Sequence, residues 1–170
     1  SNASSVKVQI SIEPDLNKVM KIIYENNHEI YLGGLLETIS DTLKKYGDKI
    51  TCYSVEAYKD EQKNCPNAKY NLVEDGFIRT KALCDNTDCV VMTPGGTGSL
   101  AEFYAVLEEY RYQKTHKKIY ILNFENYYDD LITNLKRLVQ DSFNGEDTFN
   151  YIEEVDIEKL ELIMKEGYYE

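Results

Sequence analysis

The sequence predicts an α/β domain with helices on both faces of a mainly parallel sheet, and three observations carry that prediction. Short apolar runs rich in β-branched residues recur at Val6–Ile12, Glu29–Leu32, Lys49–Tyr53, Cys89–Met92 and Lys118–Leu122. The segments between them space their apolar residues at helical intervals, so strands alternate with helices. Two of the runs end in paired glycines, Gly33-Gly34 and Gly95-Gly96, which places both turns at the carboxyl edge of the sheet. Ligands of open α/β sheets sit at that edge.

Taken in order, Val6–Ile12 (VKVQISI) alternates and forms the first strand. Pro14 and Asp15 open a helix that runs to about Asn26, with Leu16, Val19, Met20 and Ile23 on one face. Glu29–Leu32 is the second strand, and a second helix spans Leu35–Tyr46 before Gly47-Asp48 stops it. Lys49–Tyr53 is the third strand. Residues 54–74 are polar, contain Pro66 and show no period, so they read as a long loop with at most one short strand. A loop of that length in a small domain often covers a site. A helix over Gly76–Asn86 carries Arg79 and Lys81, and Cys89–Met92 is the central strand. An amphipathic helix then runs from Ser99 to about Lys114, with Leu100, Phe103, Tyr104, Leu107 and Tyr110 on one face and Glu102 off it. Lys118–Leu122, a helix to about Val139, a strand at Phe149–Val155 and a helix at Ile157–Lys165 complete the chain.

Composition narrows the partners. Nineteen basic against thirty acidic residues give a net charge of −11, which argues against a nucleic-acid polymer, since that needs cations tracking the phosphates. One small phosphorylated ligand remains compatible. No apolar run approaches a membrane span and no signal-peptide pattern opens the chain, so no membrane partner is expected and the location reads as cytoplasmic. Ser1-Asn2-Ala3 reads as the remnant of a cleaved expression tag, leaving residues 4–170 as one domain. Cys52, Cys65, Cys84 and Cys89 form no C-x-x-C pair, and His28 and His116 complete no zinc spacing. The cysteines therefore read as reduced core residues. Asp129-Asp130 resembles a metal pair, but acidic residues at a helix start serve the helix dipole, so no metal is expected.

The stretch Asp88–Glu102 (DCVVMTPGGTGSLAE) carries the chemistry. A strand feeds a glycine-rich turn and then a helix start, where free backbone N–H groups and the helix dipole attract anions. Glycines at 95, 96 and 98 let a phosphate approach the backbone, with Thr97 and Ser99 beside it. A tight turn requiring positive φ is the alternative account of those glycines. Gly33 and Gly34 stand between a close backbone approach to ligand and a plain strand-end turn. Glu102 also has two readings. It completes an S-x-x-E capping box with Ser99, or it is a carboxylate placed beside the phosphate loop for chemistry.

Pro94-Gly95-Gly96-Thr97-Gly98-Ser99-Leu100-Ala101-Glu102 resembles the P-G-G-x-G-T-x-x-E signature of the LOG proteins, long labelled possible lysine decarboxylases. Arg79 stands fifteen residues before the motif proline, where the family has R-K, although Thr80 follows it and Lys81 is the nearest replacement cation. His116-Lys117-Lys118, Leu122-Asn123 and Tyr127-Tyr128 match the family's H-K-K-P, L-L-N and Y-Y-D segments. The first half departs: Leu32-Gly33-Gly34-Leu35-Leu36-Glu37 stands where the family has G-G-G-x-x-G-L-M-G, and Ser11-Ile12-Glu13-Pro14 replaces a C-G-S-S segment.

The resemblance implies a Rossmann-like three-layer fold, a homodimer, and hydrolysis of an AMP-like nucleoside 5′-monophosphate to free base and ribose 5-phosphate. It implies that Glu102 is the catalytic carboxylate and that Arg79 contacts phosphate or ribose. Gly95, Gly96, Thr97, Gly98, Ser99, Gly33 and Gly34 would bind the substrate. No cofactor is expected, because water and the carboxylate suffice; a decarboxylase would need a lysine for pyridoxal phosphate, and no pattern identifies one. A non-catalytic nucleotide-binding protein of the same fold is the alternative, as is a ribosyl transferase with its nucleophile at the same spot.

Overall fold

The computed structural model describes residues 5, 7–10, 16–34, 44 and 46–166. Seven strands make one sheet: β1 (Lys7–Ile10), β2 (Glu29–Leu32), β3 (Ile50–Val55), β4 (Lys69–Val73), β5 (Cys89–Met92), β6 (Ile119–Leu122) and β7 (Ile152–Val155). The α-helices among the described residues are α1 (Leu16–Glu25), α2 (Gly76–Asn86), α3 (Thr97–Arg111), α4 (Asp129–Gln140) and α5 (Ile157–Glu166).

Every pairing is parallel, in the order β4-β3-β2-β1-β5-β6-β7. The chain builds outward from β1 in one direction and from β5 in the other, so the order reverses between these two neighbours. That reversal opens a crevice beyond their carboxyl ends.

Alternation along each strand feeds two cores. Val8 and Ile10 of β1, Cys89 and Val91 of β5, and Tyr120 and Leu122 of β6 pack against Val19, Met20 and Ile23 of α1 and Leu160, Ile163 and Met164 of α5. The opposite face takes Val90, Met92, Ile119, Ile121 and Ile152, packed against Phe103, Val106 and Leu107 of α3 and Ile132 and Leu135 of α4. The sheet is thus the middle of three layers, and both faces are dry, as all-parallel sheets require.

The expected bounds of β2, α2 and β5 agree with the structure residue for residue. Residues 54–74 hold the one short strand allowed for in the loop expected there, together with 3-10 turns that were not expected. They contain turns of 3-10 helix over Glu56–Asn64 and then β4, an edge strand that lies half-exposed. Polar residues on an edge strand hide the alternation that marks a buried one. The helix expected at Leu35–Tyr46, and the residues flanking Pro14, fall almost wholly outside the described residues. No helix among those described is long and apolar enough to cross a membrane.

All four cysteines are buried and free. Burial pushes the Cys52 thiol up to about 12 and the Cys84 thiol to about 11, and Cys89, wholly buried, moves the same way. Since the thiolate is the nucleophile, these sulfurs should be inert. Titration with a thiol reagent at mildly alkaline pH should label them slowly in the native protein and all at once in denaturant.

Candidate active site

The site is assembled from three chain segments at the carboxyl edge. The first is the turn after β5. Helix α3 begins at Thr97 with Gly96 as its N-cap, three residues before the Ser99 cap that the S-x-x-E pattern implies, and no side chain caps it. Ser99 lies inside the first turn, so the capping-box reading of Glu102 fails: its carboxylate is one turn too far along to reach back. None of Gly95, Gly96 and Gly98 has positive φ, which removes the tight-turn account of them. A Cβ at Gly96 or Gly98 would enter open space, while one at Gly95 would lie 2.2 Å from Ser99 Oγ. The first turn of α3 therefore presents uncapped N–H groups along an exposed strip of Gly96, Thr97 and Gly98, in which Thr97 alone carries a side chain. It carries no acidic residue that would repel an anion.

Two tyrosines from the turn before α4 hold this loop. Tyr127 Oη donates to Gly95 O at 2.7 Å, and Tyr128 Oη donates to Thr93 O at 2.6 Å. These residues were legible only as part of a family match; their hydroxyls are the reason for their place.

The second segment is the first turn of α2. Asp75 caps this helix, its Oδ1 accepting from the Ile78 N–H at 2.9 Å, and so fixes Arg79 one residue further on. Arg79 Nη1 donates to Gly33 O at 2.8 Å and faces Glu102 Oε1 at 3.4 Å. Thr80, where the family has lysine, turns its hydroxyl back onto Gly76 O at 2.9 Å. Lys81 pairs with Asp85 on an exposed face of α2 and supplies no replacement charge to the cluster.

The third is the turn after β2. A Cβ on Gly33 would lie 1.9 Å from Arg79 Nη1 and 2.8 Å from Glu102 Oε1. Gly33 is thus the floor on which the guanidinium and the carboxylate meet, not a plain turn. Gly34 has φ +134°, a conformation glycine alone adopts readily, and a Cβ there would lie 3.4 Å from Glu61 Oε1.

Glu102 was expected off the apolar face of its helix. It is buried, only 5% exposed, on the same side as Phe103 and Val106. The tolerance of the fold for this carboxylate comes from Gln9, a wholly buried residue of β1 whose Nε2 donates to Glu102 Oε2 at 3.0 Å. Burial raises the Glu102 carboxyl above its ordinary value, and Gln9 and Arg79 both pull it back. Gln9 went unread in the sequence. The signal was there: one amide among the apolar residues of a central strand needs a buried partner.

Elsewhere, Asp129 and Asp130 lie in the first turn of α4, where Asp129 Oδ1 accepts from Asn123 Nδ2 at 2.8 Å. No group of three or more potential metal ligands occurs among the described residues.

The family described as "Possible lysine decarboxylase" matches residues 21–163. Among solved structures, the X-ray structure of TM1055, a structural genomics target, superposes with a TM-score of 0.63 over 94% of this chain and 98% of that one, at 16% identity. Similarity at that identity concerns the fold. No curated protein matches the chain.

Proposed function

This chain belongs to the possible lysine decarboxylase family, the LOG family, and from that premise we propose that it is a nucleoside 5′-monophosphate phosphoribohydrolase. The observation that carries the reading is the meeting of Arg79, Glu102 and Gly33 beside the open first turn of α3, at the point where strand order reverses. The helix N-terminus suits a phosphate, and a forked cation and a carboxylate one step away suit the ribose. As the bond from C1′ to the base nitrogen breaks, positive charge grows on the ribose and Glu102 stabilises it. Water then supplies hydroxyl to C1′ and a proton to the departing base. AMP-like purine nucleotides are the default substrate.

Decarboxylation, the chemistry in the family's older description, fits less well. Lys117 is the lysine whose pKa burial lowers, the property a Schiff-base lysine needs. It sits at the amino ends of β5 and β6, away from the glycine turns, and donates to Cys84 O and Thr87 O. The open cavity of about 210 Å³ beside it has as many carboxylates, Asp85 and Glu109, as lysines, a poor match for a phosphate-bearing cofactor.

The burial of Glu102 favours one second reading, a non-catalytic nucleotide-binding protein. Incubation with a panel of nucleoside monophosphates, with free base followed by chromatography, separates the two. Base release supports the hydrolase; no release, with a nucleotide still raising Tm, supports the binder. In either case Tyr127→Phe should weaken nucleotide binding about fivefold, for loss of a hydrogen bond of about 1 kcal/mol that steadies Gly95. Isothermal calorimetry checks this.

A homodimer in the cytoplasm is part of the same proposal. Phe77, Ile78 and Tyr104 are exposed on α2 and α3, more apolar surface than a solvated helix pair needs. Four free thiols suit a reducing compartment.

A further inference from the structure

The two donors to Glu102 differ in how firmly they are held. Arg79 lies in the first turn of a surface helix with its side chain 18% exposed, so an anionic ligand in the crevice can draw it outward. Gln9 cannot move. It lies in β1 between Val8 and Ile10, whose parallel neighbours are β2 and β5, and it is wholly buried.

Its far end is also supported. Thr87 Oγ1 lies 3.4 Å from Gln9 Oε1 and 2.6 Å from Leu83 O, so its single proton can turn to either. Lys117 Nζ holds Thr87 in turn, 2.9 Å from its carbonyl and 3.3 Å from its hydroxyl. A line of polar contacts thus runs under the α2–α3 side of the sheet, from Lys117 at the amino edge to Glu102 near the carboxyl edge. No other polar line among the described residues reaches Glu102 from below.

We propose that Gln9 is a positioning residue for Glu102, holding the carboxylate from beneath so that Arg79 is free to turn to the ligand. This rests on the hydrolase reading for its purpose, but the coupling itself does not. An apolar residue at position 9 would leave Oε2 buried without a donor whenever Arg79 swung away. A glutamate there would set two carboxylates face to face.

The groups facing Glu102 are Arg79 and the Cys84 thiol from α2 and the neutral Gln9 amide from β1. Burial of Glu102 raises its folded-state value above the ordinary 4.5. A carboxyl raised in this way contributes stability that is fully present below 4.5 and is lost as pH rises through the folded value. Removing the Gln9 donor raises the folded value further, which extends the loss to higher pH.

The test is the Tm of wild type, Gln9→Met, Glu102→Gln and the double variant from acidic to mildly alkaline pH. The gap between wild type and Gln9→Met should widen as pH rises, and in the Glu102→Gln background it should not depend on pH. A gap equal at every pH, or one whose pH dependence survives Glu102→Gln, overturns the proposal, because Gln9 would then only fill space. If Gln9→Met fails to fold, Thr87→Val gives the same reading with a smaller gap. This experiment needs no substrate, so it stands even if no nucleotide is cleaved. Where base release is measured, Gln9→Met should lower kcat with KM unchanged and move the acidic limb of the rate profile upward. A change in KM alone would overturn the positioning role while leaving the hydrolase reading intact.

Discussion

Glu102→Gln should lower kcat for base release by about a hundredfold or more while nucleotide affinity stays within a few fold, the scale on which a single preorganised charge group acts. The amide matches the carboxylate in size, and its oxygen can still accept from Gln9 or Arg79, so the buried site keeps its packing. On the hydrolase proposal, what is lost is the negative charge next to the ribose at the moment positive charge develops there. Single-turnover measurement of base release beside calorimetric Kd separates the two effects. Release unaffected by the substitution would assign the chemistry to another group.

Gly33→Ala should be nearly as damaging to activity, and for a steric reason. The new methyl would occupy the place of Arg79 Nη1, 1.9 Å away, and crowd Glu102 Oε1 at 2.8 Å. The backbone at Gly33 does not need positive φ, so the main chain accepts alanine and the flexible guanidinium yields instead. It gives up its bond to Gly33 O, which costs about 1 kcal/mol of stability, while kcat/KM falls more than tenfold because the cation is misplaced. The double variant Gly33→Ala, Arg79→Ala should be scarcely worse than Arg79→Ala alone, since both remove one interaction. Gly34→Ala is the contrast. Its φ of +134° strains any side chain, so stability falls by about 1–3 kcal/mol through the backbone. Thermal melts and steady-state kinetics on the four proteins distinguish these outcomes.

How much of this was written in the sequence depends on the physics of each part. Strands buried on both faces announce themselves as apolar runs, which is why Glu29–Leu32 and Cys89–Met92 were legible to the residue. The edge strand Lys69–Val73 is solvated and reads as loop. The glycine turns were legible because glycines between a strand and a helix leave a local pattern, whereas Arg79 and Glu102 stood out only through the family resemblance. The partners of these two residues were not legible. The start of α3 moved two residues from Ser99 because a glycine cap leaves no side-chain mark, and that shift alone changes Glu102 from a capping residue to a buried one. Gln9 left a signal, an amide in an apolar strand, but its partner was invisible because it lies 93 residues away.

That separation also bears on synthesis. At ribosomal rates of roughly 5–20 residues per second, Gln9 waits about 5–20 s before its carboxylate partner has been made. Until then water, and not Glu102, satisfies the Gln9 amide, so β1 reaches its dry setting only once the second half of the sheet exists.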